Sequence, residues 1–247
     1  EELHKLLEKL PAKRQNLLFS ATLPAKVIKL SEEILVNPVH VSIDSDQPTV
    51  EAIEQRVIEV NRDNRRPLLQ HLITSENWGQ SMVFVVSKRA AHNLAQKLKR
   101  DGISAAAFHG DLEQSERILV LKKFKNKEVR ILIATDIAAR GIDINKLSYV
   151  VNYDLPRSPM DYIHRIGRTG RAGESGKAIS FIDHADQDHF RLIEKRADIK
   201  LEREQVEGFE LTGEAPLKEK GKAPVKGKGK SKKDKLREQA RKNDDAE

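Results

Sequence analysis

Residues Val129–Asp143 read Val-Arg-Ile-Leu-Ile-Ala-Thr-Asp-Ile-Ala-Ala-Arg-Gly-Ile-Asp. The first six are β-rich and mostly apolar. The remainder crowds a hydroxyl, two carboxylates and an arginine among small residues. A short apolar run that ends this abruptly predicts a buried strand with a polar loop at its tip. An ordinary surface loop accounts poorly for so much charge among Gly and Ala.

Working outward, the pattern repeats. Towards the N-terminus lie a helix pattern at Gln114–Phe124, a strand at Ala105–Phe108, a helix at Ala90–Arg100 closed by Asp101-Gly102, and an apolar run at Ser81–Val86. Before these come a helix at Arg65–Ile73 and a strand at Ile53–Val60. Towards the C-terminus lie strands at Tyr149–Tyr153 and Ala178–Ile182, then a helix at His184–Arg196. Alternating strands and helices predict an α/β fold, a parallel sheet with helices on both faces. In such folds ligands bind beyond the C-terminal strand ends. The residues after each apolar run are therefore the ones to inspect.

Upstream, Leu3, Leu6, Leu7 and Leu10 keep helical spacing until Pro11. Asn16–Phe19 reads as a strand, Pro24–Val36 as an amphipathic helix, and Val39–Ile43 alternates like a strand. Asp44–Thr49 is polar, contains Pro48 and has no periodicity, which marks a linker.

The chain has 247 residues with 45 Lys and Arg against 38 Asp and Glu, net +7. Gly213–Glu247 holds twelve Lys and Arg against seven Asp and Glu, so +5 of the +7 sits there. That segment has no aromatic residue and almost no large aliphatic one, and reads as a disordered tail. Its cations suit nucleic-acid phosphates, although interleaved acids weaken the match; the alternative is a solubilising extension. There is no cysteine, which excludes disulfides, thiolate zinc sites and a cysteine nucleophile. Zero cysteine is also compatible with a reducing compartment. No apolar run reaches the ~18–20 residues of a membrane helix. The chain lacks an initiator Met and starts in helical character, as a fragment would.

Four clusters follow the strand patterns. Ser20-Ala21-Thr22 alone reads as a helix-start region. His109-Gly110-Asp111 with Gln114 and Arg117 suits a phosphate at a helix start, at even odds with a plain capped turn. Thr135-Asp136 through Asp143 is the third. His164-Arg165-Ile166-Gly167-Arg168-Thr169-Gly170-Arg171 is the fourth and sharpest. Its arginines suit a polyphosphate. Arg168 and Arg171 are three apart and would share the face of a helical turn. His184 and His189 do not share a helix face, so no metal site is read there. Trp78 reads as a loop anchor rather than a base-stacking platform.

Together these runs resemble the DEAD-box RNA helicases, of the bacterial RhlE-like branch. Ser20-Ala21-Thr22 is similar to the family's motif III, Met82–Val85 to motif IV, and Gln114 with Arg117 to its Gln-x-x-Arg motif. Thr135-Asp136 through Arg140-Gly141 and Asp143 is similar to motif V, and His164–Arg171 to motif VI. The resemblance covers roughly Leu3–Leu211. It implies a RecA-like helicase C-terminal domain at 53–212, preceded by the end of a first RecA-like domain at 1–44 and a linker at 45–52, and followed by the tail at 213–247.

The resemblance also implies roles. Arg168 and Arg171 would be arginine fingers on the ATP γ-phosphate, and Asp143 would bind the ribose. His164 and Arg165 would join motif VI to motif III. Gly110, Arg117 and Thr135 would touch the RNA backbone. Arg140, Ser20 and Thr22 would couple the RNA and ATP sites. It implies ATP with Mg2+, RNA, the missing N-terminal RecA-like domain and ribosomal or RNA-decay assemblies as partners, and a cytoplasmic protein. One departure is large. No Walker A loop, adenine-reading Gln motif or Asp-Glu-Ala-Asp box is present, so the chain is expected to be inactive alone. The alternative is a non-catalytic RNA-binding module.

Overall fold

The computed structural model describes residues 2–11, 13–20, 25–41, 53–140, 142, 144, 147–170 and 176–215. The chain divides into two compact units, Glu1–Asp46 and Gln47–Glu247. The expected linker core at Asp44–Thr49, and the tail beyond residue 215, lie outside the described residues.

The first unit holds helices α1 (Glu2–Leu7) and α2 (Ala25–Ile34). Asn16 Nδ2 donates to the Ile34 carbonyl at 2.9 Å, tying the intervening segment to the end of α2. The expected strand at Asn16–Phe19 does not form, nor is 39–41 a strand. A strand exists only where a neighbour completes its backbone ladder, and no described residue pairs with either run. Their side chains face outward instead: Phe19 and Val39 are each 88% exposed.

The second unit opens with β1 (Ile53–Glu59), a 3-10 turn at Arg62–Asn64 and α3 (Arg65–Ser75). Next come β2 (Ser81–Phe84), α4 (Lys88–Arg100), β3 (Ala105–Phe108) and α5 (Gln114–Lys125). β4 (Ile131–Ala134), α6 (Asp136–Ala139), β5 (Tyr149–Asn152) and α7 (Pro159–Ile166) follow. The last elements are β6 (Gly176–Ile182), α8 (Gln187–Ala197) and the two-residue β7 (Arg203–Glu204). The seven strands form one parallel sheet in the order β3-β4-β2-β5-β6-β1-β7.

Helices cover both faces, which is why the central strands read as continuous apolar runs rather than alternating ones. Every residue of β2 and β4 is buried. Pleating sends Val83, Ile131, Ile133 and Val151 to the face under α3 and α4. Met82, Phe84, Leu132 and Val150 go to the opposite face, with Phe124 of α5 and Ala138 of α6. Beside them α7 and α8 pack Tyr162, Ile166, Phe190 and Ile193 over Val57, Ala178 and Ile182.

Local signals set the helix ends. Ser87 caps α4, its Oγ accepting from the Ala90 amide at 3.1 Å, and Lys97, Lys99 and Arg100 fill the last turn. There they face the negative end of the helix dipole. Ser158 caps α7 ahead of Pro159.

The register places the strand tips level. Phe84 sits opposite both Ala134 and Asn152, and Phe108 opposite Ala134. The next residues, Val85, His109, Thr135 and Tyr153, therefore emerge along one edge of the sheet.

Trp78 lies at the other edge. It is 1% exposed and stacks on Tyr149 at 4.2 Å and 14°. Its Nε1 donates to Glu76 at 2.8 Å. It is a buried anchor, with no ring face left for a base. After β7 the chain runs back along the unit. Val206 and Phe209 pack against the core, and Asn61 clasps Thr212, donating to its carbonyl at 3.0 Å and accepting from its amide at 2.8 Å.

Candidate functional site

The strand-end edge is organised around Arg165. This arginine sits in the last turn of α7 and is 2% exposed. A buried guanidinium needs its donors satisfied and its charge matched. Its Nε and Nη2 donate to the two oxygens of Asp136 at 2.6 and 2.8 Å. Its Nη1 donates to Asn152 Oδ1 at 2.9 Å and to the Asp154 carbonyl at 2.7 Å. The guanidinium also lies 4.8 Å from the Phe84 ring centroid. One side chain thus gathers the tips of β2, β4 and β5 and joins them to α7. Asn152, itself buried, passes the contact on to Ser180 of β6, donating to its Oγ at 3.1 Å.

Asp136 opens α6, and Thr135 is that helix's N-cap residue, its side chain making no cap bond. Arg140 follows α6 and donates to Asp161 Oδ1 at 2.7 Å. Partial burial pushes the Asp161 carboxyl up, but hydrogen bonds from Arg140 and Ser158 outweigh it and hold the group below the usual range. Beyond β3, Arg117 lies 4.6 Å over the Phe108 ring and donates to the His109 carbonyl at 3.4 Å. That contact aims it along the edge. Gly110 is exposed, and a Cβ there would meet nothing within 4 Å, so packing alone does not demand a glycine.

Arg168 lies past the end of α7 in a turn, its amide donating to the Arg165 carbonyl at 3.1 Å; Arg171, with which it was expected to share a face, lies outside the described residues. Its Nη1 donates to the Ile142 carbonyl at 3.0 Å, which ties the fourth cluster back to the third. His164 is exposed on the last turn of α7. Ser20 is exposed in the first unit. Thr22, Asp143 and Arg171 lie outside the described residues. The structure therefore brings Gly110, Arg117, Thr135, Arg140, His164 and Arg165 to one end of the second unit, whereas the backbone of Arg168 sits by the start of β5, its carbonyl accepting from the Leu147 amide at 3.3 Å.

Sequence reasoning missed three members of this constellation: Asp136's pairing, Asn152 and Asp161. Ser158-Pro159 with an acid at Asp161 is a helix-start signal that would have placed α7. The Val151–Pro156 run resembles the family's segment between motifs V and VI, but nothing in it showed that Asn152 is buried, because a polar residue at the end of an apolar run looks like a strand terminus.

A second network lies at the same edge. Arg65, 3% exposed, donates to Asp154 at 3.2 Å and Asp186 at 2.5 Å, and Arg62 pairs with Asp183 at 2.7 Å. Burial pushes the Asp183 carboxyl up, but the Arg62 and Arg65 charges win and hold it low. Burial, then the Asp154 charge, pushes the Tyr153 hydroxyl up to about 12. Arg62, Arg65, Tyr153, Asp154 and Asp186 line a cleft of about 360 Å³ with Val86, Leu155 and His189. Asp186, the residue before α8, is thus an ion-pair partner of Arg65. Among the described residues no three His, Asp or Glu converge as metal ligands. No described helix is long and apolar enough to cross a membrane.

Residues 64–173 match the model of the helicase conserved C-terminal domain. The chain is 34% identical to the E. coli DEAD-box protein SrmB, in a crystal structure with regulator of ribonuclease activity A, at a TM-score of 0.63; the match covers 66% of this chain and 97% of that one. The chain belongs to the DEAD-box helicase family. It is 39% identical over 203 residues to the DEAD-box ATP-dependent RNA helicase CshA of Bacillus licheniformis, covering 82% of this chain and 42% of CshA. It is 36% identical, with a TM-score of 0.71, to S. cerevisiae Dbp5 bound to RNA and ADP BeF3, covering 83% of this chain and 55% of Dbp5. This DEAD-box chain therefore spans less than half the length of CshA, and the share it matches includes the helicase C-terminal domain.

Proposed function

We propose that this chain is the C-terminal part of an ATP-dependent RNA helicase. It would supply the arginine fingers and half of the RNA site to a cleft completed by an N-terminal RecA-like domain. On this reading 1–44 is the end of the first RecA-like domain, 45–52 the linker, 53–212 the second domain and 213–247 a basic tail. The observation that carries it is the Arg165 hub. Through Asp136 and Asn152 it joins the edge that bears Thr135 to the helix that leads into Arg168, so RNA-side and nucleotide-side groups move as one body.

In that body Arg117, the Thr135 hydroxyl and the backbone at Gly110 would hold RNA phosphates and riboses. Such contacts position a strand without reading its sequence. Arg168 and Arg171 would meet the γ-phosphate when the domains close, placing fixed positive charge where phosphoryl transfer builds negative charge. Their planar, always-charged guanidinium forks suit that task. Asp143 would accept from the ribose hydroxyls. Ser20 and Thr22, with Arg140 and His164, would pass closure between the domains. Magnesium would travel with ATP; the described acids here are committed to arginines, so this chain's part rests on its cations and backbone.

Joining residues 1–247 behind an N-terminal domain with a Walker A loop and an Asp-Glu-Ala-Asp box tests the reading. The product should unwind a short RNA duplex only with ATP, and its Arg168→Ala form should not. Unwinding that is indifferent to Arg168 would refute it.

A further inference from the structure

Two ion pairs lash α6 to α7. Asp136, at the start of α6, meets Arg165 near the end of α7 at 2.6 Å. Arg140, just past α6, meets Asp161 in the first turn of α7 at 2.7 Å. Polarity reverses between the two: acid to base, then base to acid. The two helices therefore run antiparallel along this contact. Neither can shift by a turn without breaking both pairs or bringing like charges together.

The pairs differ in exposure. Arg165 is 2% exposed, whereas the Arg140 side chain is 64% exposed. Arg140 is thus a long, hydrated arm whose direction depends on what holds its tip. The holder is itself fixed. Ser158 Oγ donates to Asp161 Oδ2 at 2.9 Å and accepts from the Asp161 amide at 3.1 Å.

We propose that Asp161 is a positioning residue: anchored by Ser158, it holds Arg140 in one orientation at the strand-end edge, across the short helix α6 from Thr135. The arginine then meets RNA and the closing first domain already aimed, without first losing rotamer freedom. Asp161 touches neither substrate and works through Arg140. The inference rests on the reading of Arg140 as a coupling residue.

The test is Asp161→Asn and Asp161→Glu in the full-length helicase, with Arg140→Ala and Arg168→Ala as controls. ATP hydrolysis is followed against the concentration of a single-stranded oligouridylate. D161N should raise the RNA concentration for half-maximal stimulation about two- to five-fold, the range a largely exposed pair commands. The rate at saturating RNA should stay within about two-fold. D161E, which keeps the carboxylate, should restore the half-point. In residues 1–247 alone, the Arg140 Nη2–H NMR signal should be slow to exchange in wild type and D161E, and fast in D161N. A wild-type half-point in D161N, or an Arg140 signal indifferent to it, overturns the inference. If R168A leaves hydrolysis intact, the helicase reading itself fails. If R140A matches wild type while R168A is dead, the coupling role of Arg140 fails.

Discussion

Arg165 and Asp136 are 29 residues apart in sequence and meet through two hydrogen bonds, Nε to Oδ1 at 2.6 Å and Nη2 to Oδ2 at 2.8 Å. Removing one partner of a buried pair strands the other charge, at a cost of about 3–5 kcal/mol. Asp136→Ala should therefore lower the unfolding free energy of residues 1–247 by roughly that amount, read as a lower urea midpoint with the slope unchanged. Arg165→Lys should also destabilise, because an ammonium cannot span both Asp136 oxygens and reach Asn152 and Asp154. Wild-type midpoints for both variants would contradict the hub.

Arg168 has a different signature. It is partly exposed, and its Nη1 donates to the Ile142 carbonyl. In the two-domain helicase, R168A should reduce RNA-stimulated ATP hydrolysis by about 10³–10⁵, the span of a lost arginine finger. RNA affinity and thermal stability should change little. R168K should fail to rescue, since an ammonium lacks the planar fork.

Acid stability should depend on Glu194. The bond from Arg203 at 2.7 Å, aided by the Leu201 amide, holds this carboxyl below its ordinary 4.5 despite partial burial. A carboxyl depressed in the folded state stabilises above its unfolded value, and that contribution is lost as pH falls through the folded one. Glu194→Gln should therefore be less stable than wild type at pH 7, and the gap should close below pH ~4.5. A gap that does not narrow as pH falls below ~4.5, read from urea midpoints, would show that packing and not charge is responsible.

The tail should separate from the fold. The chain is clasped at Thr212 by Asn61, so deletion after Gly213 should leave the melting temperature unchanged. The deleted segment carries twelve Lys and Arg. Each RNA phosphate it neutralises contributes about 0.7 to the slope of log K against log salt on a single strand. The truncated chain should bind RNA more weakly and with a shallower slope. An identical slope would exclude a tether.

The parallel sheet was legible because double-sided burial writes unbroken apolar runs. Ser81–Phe84, Ala105–Phe108 and Ile131–Ala134 stand where their composition puts them. Asn16–Phe19 and Val39–Val41 have the same local composition but no ladder partner, and composition cannot report a partner. The arginine-rich cluster was equally visible, but the division of labour inside it was not. Arg165 and Arg168 look alike in sequence. Only the fold shows that Phe84, Asp136 and Asn152 converge to bury the first while the second stays at the surface turn. Asp161 was hidden for a similar reason: its meaning depends on Arg140, 21 residues upstream.

The most direct test is RNA-stimulated ATP hydrolysis by purified residues 1–247, alone and joined to an N-terminal domain bearing a Walker A loop and an Asp-Glu-Ala-Asp box. The account predicts no stimulated hydrolysis alone, recovery on joining, and loss again in R168A. Stimulated hydrolysis by residues 1–247 alone would contradict it, because the arginines would then be serving a nucleotide site that no motif in this sequence provides.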